Sequence, residues 1–408
     1  MLAGASTRPP GARYSARMTA PMTALDGARA QIRDIPLENI ASLAKDRFGD
    51  PSVIPLWFGE GDLTAPAFIG EAMSRAIADG HVFYSHQNGI PELRETLATY
   101  LSGLGSRAIG PERITVTSSG MSAIMLALQL ACEAGDNVIN VDPIWPNTGG
   151  MARLLGAEVR SARMELGQGG WRLDPAAVEA AIDESTRAVF FASPGNPTGA
   201  MVPMETQAAL LELCRRRGVW LIADEVYNRL AFGRHSAPTI LDIAEPEDRL
   251  IVINSFSKSW AMTGWRLGWM VHPPSVGATL AMMVQYTSSG VTTFLQHAGV
   301  AAIREGEPFV ASMREYCEAG MGVVCDALER LPRVRMGPRP QAGMYAYFQV
   351  DGLPDARRAC TEILAATSVG LAPGIFFGPG SESFLRACVC RDPAVLADAM
   401  ARVSGFLG

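Results

Sequence analysis

Lysine is almost missing from this sequence. The 408 residues hold 35 basic side chains, and Lys45 and Lys258 alone are lysine, the rest being arginine. Lysine is normally among the commonest residues. A coding preference for arginine accounts for the shortage, so the question is what keeps the two survivors. Cysteine is sparse as well: Cys132, Cys214, Cys317, Cys325, Cys360, Cys388 and Cys390, with no C-x-x-C spacing. An odd count spread this widely argues against a disulfide scaffold or a zinc knuckle. A reducing compartment is expected, and the expected location is cytoplasmic. Cys388 and Cys390 alternate as one face of a strand and read as core.

Other absences narrow the field further. The five histidines form no H-E-x-x-H, so a zinc-protease site has no ligands and no metal is expected. No apolar run approaches the ~18 residues that a membrane span needs. The formal net charge of −6 argues against nucleic acid or an anionic membrane as partner. No G-x-G-x-x-G follows a predicted strand and no G-x-x-x-x-G-K-[ST] occurs, so the nucleotide-binding α/β readings lose their motif.

The first residues differ from the rest. Arg8, Arg13 and Arg17 precede the first acid, Asp26, which gives the charge of a transit peptide. Pro9, Pro10, Gly4 and Gly11 would spoil its amphipathic helix. Residues 1–30 are expected to form a disordered arm, or an over-long start with Met18 or Met22 as the initiator.

What is present is an ordered α/β chain, with 48% hydrophobic and 19% charged residues. From about residue 110, short apolar runs alternate with amphipathic stretches. Ile114–Thr117, Asn137–Val141, Ala188–Ala192, Trp220–Ala223 and Leu250–Ile253 read as buried strands. Ser122–Ala134, Asp174–Ile182 and Glu205–Arg217 read as the helices between them. Alternation of this kind predicts a mostly parallel sheet covered by helices on both faces. Arg215-Arg216-Arg217 before Gly218 reads as a solvated helix end.

After about Ser289 the alternation stops. Helices are expected at Phe294–Arg304, Pro308–Arg330, Asp355–Ala366 and Asp392–Phe406, and strands at Met344–Val350 and Phe384–Cys390. This gives a smaller α+β unit. The expected division is a large domain over residues 61–294 and a small domain from 31–60 and 295–408.

Residues able to do chemistry gather at predicted strand ends, where open α/β sheets bind ligands. Lys258 lies in Asn254-Ser-Phe-Ser-Lys-Ser-Trp260, just past a strand. A lysine there can form a Schiff base with an aldehyde, and arginine cannot replace it. Lys45, by contrast, looks like an ordinary surface residue. Asp224 ends another strand, Asn196 lies in a Pro/Gly turn after a third, and Arg266 follows Lys258 by eight residues. Ser118-Ser119-Gly120-Met121-Ser122 joins a strand to a helix, and its N–H groups would face an anion.

This ordered set resembles the class I/II aminotransferases, pyridoxal-phosphate enzymes of fold type I. The resemblance covers about Ile32 to the C-terminus. It rests on Phe83-Tyr-Ser-His-Gln-Asn-Gly-Ile-Pro-Glu-Leu-Arg94, Asp142-Pro-Ile-Trp-Pro-Asn147, Pro194-Gly-Asn-Pro-Thr-Gly199, Asp224-Glu-Val-Tyr227, Ser255-Phe-Ser-Lys258 with Arg266, and Phe384-Leu-Arg386. It implies transfer of an amino group from an L-amino acid to a 2-oxo acid, with pyridoxal 5'-phosphate held by Lys258 as a Schiff base.

The resemblance also implies roles. Lys258 would be the acid/base at the substrate Cα. Asp224 would keep the pyridine nitrogen protonated, and Tyr227 and Asn196 would bond the ring hydroxyl oxygen. Trp145 would stack on the ring. Ser119, Gly120, Met121, Ser255 and Arg266 would hold the phosphate. Tyr84 would reach the phosphate of a neighbouring subunit, implying a homodimer with shared active sites. Arg386 would clamp the substrate carboxylate, helped by Asn196, Trp145 and the backbone near Gly59.

Two departures stand out. The family's usual Gly-Glu-Pro-Asp is here Gly59-Glu-Gly-Asp62, which is expected to loosen that loop. No arginine occurs between Arg266 and Arg304, where the aspartate-specific branch takes a side-chain clamp from its partner. The expected side-chain pocket is therefore neutral or aromatic, with Trp57, Phe58, Tyr84, His86 and Tyr286 as candidates. Two alternatives remain on the sequence. One is a same-fold pyridoxal-phosphate enzyme with another outcome: a lyase, an oxidase or carbon–carbon bond formation. The other is a non-catalytic sensor fused to a DNA-binding module, for which the arm is too short.

Overall fold

A computed structural model describes residues 24–408; the expectations for residues 1–23 lie outside the described residues. The chain divides into a short unit that ends at Ile35 and a compact unit, Pro36–Gly408. In the first, Ala24–Gly27 forms a 3₁₀ turn and Ala30–Arg33 one helical turn.

The second unit is built on a seven-stranded sheet. Its strands are β1 (Ile114–Thr117), β2 (Asn137–Asp142), β3 (Glu158–Arg163), β4 (Thr186–Ala192), β5 (Trp220–Asp224), β6 (Leu250–Ser255) and β7 (Gly268–Val271). Their order across the sheet is β1-β7-β6-β5-β4-β2-β3. Strand β7 is antiparallel to both neighbours and every other pairing is parallel. Six strands thus run the same way, and their carboxyl ends share one edge of the sheet.

The strands form where β-branched and apolar residues alternate between two buried faces. Val189 and Phe191 enter one core cluster, and Ala188 and Phe190 enter another on the opposite face. The crossover helices are capped by their own sequence. Ser119 Oγ accepts from Ser122 N–H at 3.0 Å and starts helix α1 (Gly120–Ala131). Gly218, at φ 66°, ends helix α2 (Met204–Arg217) in the left-handed conformation that glycine adopts without cost. Arg215 there bonds Asp248, a surface pair as expected of a solvated helix end.

A second sheet has the order β8-β9-β11-β10, with β8 (Val334–Arg335), β9 (Tyr345–Val350), β10 (Ala372–Pro373) and β11 (Phe384–Cys388). The helices Glu307–Leu328, Ala356–Thr367 and Pro393–Leu407 pack on it through Val324, Leu328, Ile363, Leu396 and Val403. Leu56 belongs to this cluster, and Ile54–Pro55 pairs parallel with Val369–Gly370. All seven cysteines are free and buried. Among the described residues no helix is long and apolar enough to cross a membrane.

Candidate active site

The loops that leave the carboxyl ends of β1, β2, β4, β5 and β6 surround a cavity of about 280 Å³. Gly59, Gly120, Met121, Trp145, Asn196, Asp224, Tyr227, Ser255, Lys258, Arg266 and Arg386 line it. Of the predicted site residues, Ser119 caps the helix at the wall, and Tyr84 stands apart, 91% exposed.

Lys258 follows β6, and its Nζ donates to the Gly59 carbonyl at 2.5 Å. Burial lowers the pKa of this amine, and the nearby Arg386 guanidinium acts in the same direction. The shift is in the direction that favours the neutral amine, the form that acts as nucleophile and base. Asp224, last residue of β5, is buried, and its Oδ1 accepts from Val226 N–H at 3.1 Å. Desolvation pushes its carboxyl up to about 6, against the pull of Lys258. A cation brought to this carboxylate would reverse that cost.

Arg386 is 2% exposed and sits on β11. Its Nη1 donates to Asn196 Oδ1 at 2.8 Å and its Nη2 to the Trp57 carbonyl at 2.5 Å. Its Nε is buried without a hydrogen-bond partner. The guanidinium lies 4.3 Å from the Tyr345 ring and 4.8 Å from the Phe377 ring. Among the described residues no carboxylate pairs with it within 4.0 Å. A structural ion pair, the ordinary reason to bury an arginine, is not what holds it.

The anion cup is shaped by two glycines. Gly268 of β7 pairs with Thr117 on one side and Ser255 on the other. A Cβ there would stand 2.8 Å from Gly120 N and 2.9 Å from Asn254 O. The helix start and the strand therefore meet more closely than any side chain allows. Ser255 Oγ donates to Ser257 Oγ at 2.8 Å. Arg266 is exposed, and its Nη1 donates to the Thr263 carbonyl at 2.5 Å.

The loop Gly59–Asp62 is not loose. Thr263 Oγ1 donates to Glu60, Tyr316 donates to Asp62 at 2.9 Å, and Asp392 N–H donates to Asp62 at 3.0 Å. A Cβ at Gly61 would lie 2.5 Å from Cys390 Sγ, so glycine lets the loop settle on that thiol.

Of the expected side-chain pocket, Phe58 lines the cavity and Trp57 contributes its carbonyl. Tyr84, His86 and Tyr286 are exposed in the single chain. Sequence reasoning missed Tyr345, which lines the cavity and bonds Tyr227. It also missed Ile40 and Thr263.

A family model described as aminotransferase class I and II matches residues 54–403. The chain belongs to this aminotransferase family. An aspartate aminotransferase from Thermotoga maritima is 31% identical over 359 residues, 87% of this chain and 91% of that protein. An arginine–pyruvate transaminase from Pseudomonas aeruginosa is 30% identical over 366 residues, 89% of this chain and 92% of that protein. The solved structure of Thermus thermophilus aspartate aminotransferase with maleate has a TM-score of 0.86. It is 28% identical, and the match covers 93% of this chain and 100% of that one.

This aminotransferase is a pyridoxal-phosphate-dependent transferase of fold type I that moves an amino group from an L-amino acid to a 2-oxo acid. Its residues fit the cofactor. The buried Asp224 carboxylate calls for a cation, and the Gly120–Gly268 approach sets the start of the helix, Gly120 and Met121, in the cavity wall where a phosphate would bind. The orphaned Arg386 Nε calls for an anion beside them.

Proposed function

We propose that this aminotransferase works on L-amino acids whose side chain is neutral or aromatic. The observation that carries this is the count of cations in the cavity wall. Among the described residues they are Lys258, Arg266 and Arg386. Lys258 would hold the cofactor aldehyde, Arg266 its phosphate and Arg386 the substrate α-carboxylate, which leaves none of the three for a second carboxylate. Ile40, Phe58 and Ile124 add apolar wall. The relatives' names, aspartate and arginine–pyruvate, differ in side-chain charge and so do not choose for this chain.

Pyridoxal phosphate, when bound, supplies an aldehyde for a lysine Schiff base and a ring that draws electrons from Cα. The protein does the rest. Lys258 Nζ is the amine that holds the cofactor and then takes and returns the Cα proton. Asp224 stabilises a protonated ring nitrogen. Asn196 has committed Oδ1 to Arg386, which leaves Nδ2 to donate to the ring oxygen alongside Tyr227. Gly120, Met121, Ser119, Ser255 and Arg266 bind the phosphate, and Trp145 covers the ring. Arg386, with Gly59 and Asn196 beside it, orients the α-carboxylate.

The reading includes a homodimer in the cytoplasm. Phe83 and Tyr286 are both 80% exposed and accompany Tyr84. The segment Val82–Ser85 lines an open groove of about 470 Å³ with 288–294. These side chains are the surface through which a second copy would be engaged. Residues 61–294 act as the cofactor-binding domain, and 31–60 with 295–408 as the small domain that carries Arg386.

The test is a comparison of kcat/KM for aspartate, alanine, phenylalanine and arginine with one common 2-oxo acid. Alanine or phenylalanine is expected to lead. A strong preference for aspartate overturns the substrate reading. Borohydride reduction followed by peptide mass mapping should place the cofactor on Lys258.

A further inference from the structure

Tyr345 connects the two halves of this site. Its hydroxyl lies 2.7 Å from the Tyr227 hydroxyl, and the two rings meet edge to face at 5.6 Å. Its ring also carries the Arg386 guanidinium at 4.3 Å. It is 1% exposed and held in β9, one strand from Arg386 in β11. Gly59 leaves room for it, because a Cβ there would lie 1.9 Å from the Tyr345 hydroxyl. Among the described residues no other side chain both hydrogen-bonds Tyr227 and packs on the Arg386 guanidinium.

We propose that Tyr345 is a positioning residue, which donates its proton to Tyr227 Oη and thereby commits the Tyr227 proton to the cofactor ring oxygen, while its ring fixes the Arg386 fork. The inference rests on the reading that Tyr227 faces the cofactor and Arg386 faces the substrate carboxylate. Two phenols share two protons. If Tyr227 donated to Tyr345, it would have none left for the ring oxygen. Burial holds both phenols protonated, so the direction of donation is a matter of geometry and not of charge. A Tyr227 that accepts from Tyr345 is also the stronger donor, because hydrogen bonds in a chain polarise one another.

Tyr345→Phe separates the two contacts, since it keeps the ring on Arg386 and removes the proton. In the holoenzyme, the pH at which the visible absorption changes should rise by about half to one unit, the worth of one buried hydrogen bond. Turnover should fall several-fold, with the KM of the amino acid held within about twofold. Tyr345→Leu, which removes the ring as well, should raise that KM too. In a Tyr227→Phe background, Tyr345→Phe should add no further spectral shift.

An unchanged titration and kcat in Tyr345→Phe overturn the inference. So does a shift of equal size in the Tyr227→Phe background, which marks a structural effect. A parent enzyme with no pH-dependent visible band would instead overturn the underlying site reading.

Discussion

Arg386 Nη1 donates to Asn196 Oδ1 at 2.8 Å, and the pair joins β11 of the small sheet to the turn after β4 of the large one. The residue proposed as substrate clamp and a residue proposed for the cofactor are therefore bonded to each other in the folded chain. An arginine 2% exposed with Nε unpartnered is held ready by two aromatic faces and a carbonyl.

Arg386→Lys tests this arrangement. Lysine keeps the charge but loses the planar fork, and a charge-assisted hydrogen bond is worth about 1.5–3 kcal/mol. The KM for the amino acid should rise at least about 10-fold, while cofactor retention, read from visible absorbance, stays intact. An unchanged KM would remove Arg386 from the clamp.

Asp224 gives a pH-dependent signature. Burial raises its folded-state pKa from 3.8 to about 6. Between those values the folded protein without cofactor holds more protons than the unfolded chain, so its stability falls as pH rises through this window. The ionised carboxylate costs about 3 kcal/mol at most above pH 6. Glu225, pushed up to about 7, and Asp142, to about 6, add slopes of the same sign. The informative quantity is thus the difference from Asp224→Asn. Stripped of cofactor, that variant should melt higher than the parent at pH 7 and no higher at pH 4. It should also bind the cofactor more weakly. Equal melting temperatures at pH 7 would show that the buried charge carries no cost.

Gly268→Ala should open the anion cup. Its Cβ would meet Gly120 N at 2.8 Å and the Ser119 carbonyl carbon at 2.9 Å, both backbone atoms that cannot rotate away. Overpacking of this kind costs about 1–3 kcal/mol. The melting temperature should drop, and inorganic phosphate should compete for the site more weakly than in the parent. Full phosphate affinity in a folded Gly268→Ala would move the anion site elsewhere.

Much of this was legible in the sequence because chemistry and punctuation coincide. Strand β1 matches its expected span, and β4, β5 and β6 each run one or two residues longer at one end. Each is an apolar run stopped by Ser, Asp or Asn, and Gly120, Asn196, Asp224 and Ser255 of the cavity wall lie at those stops or within three residues of them. Strand β3 was not legible. Glu158-Val-Arg-Ser-Ala-Arg163 is an edge strand that stays partly exposed along most of its length, so its polar composition reads as a loop. Strand β7 was hidden because Gly268 begins it for a packing reason. Tyr345 was missed because Met344–Val350 reads as plain core. The available signal was that a buried phenol needs a partner, and here the partner is Tyr227 in the cavity wall. The expectation for Tyr84 rests on the resemblance alone, since nothing in a single chain marks an exposed tyrosine as part of a site.

The substitution of glycine for the family's proline at position 61 yields the last prediction. Gly61 lies where a Cβ would come within 2.5 Å of Cys390 Sγ and 2.9 Å of the Cys390 carbonyl. Cys390 is fully buried, and its Sγ also meets Met313 Sδ at 3.5 Å, so the thiol has little room to retreat. The two residues thus define one contact from both sides. Gly61→Ala should destabilise the protein by about 1–3 kcal/mol through overpacking. Cys390→Ala removes the sulfur and should relieve part of that cost in the double variant, though the carbonyl still crowds the new methyl. The melting temperature of the double variant should therefore exceed the value obtained by adding the two single effects. Because Gly59 and Lys258 share this loop through a 2.5 Å hydrogen bond, the lost activity of Gly61→Ala should recover in the same variant. Strict additivity in both measurements would mean that the loop rests on its hydrogen bonds to Thr263, Tyr316 and Asp392 rather than on the thiol.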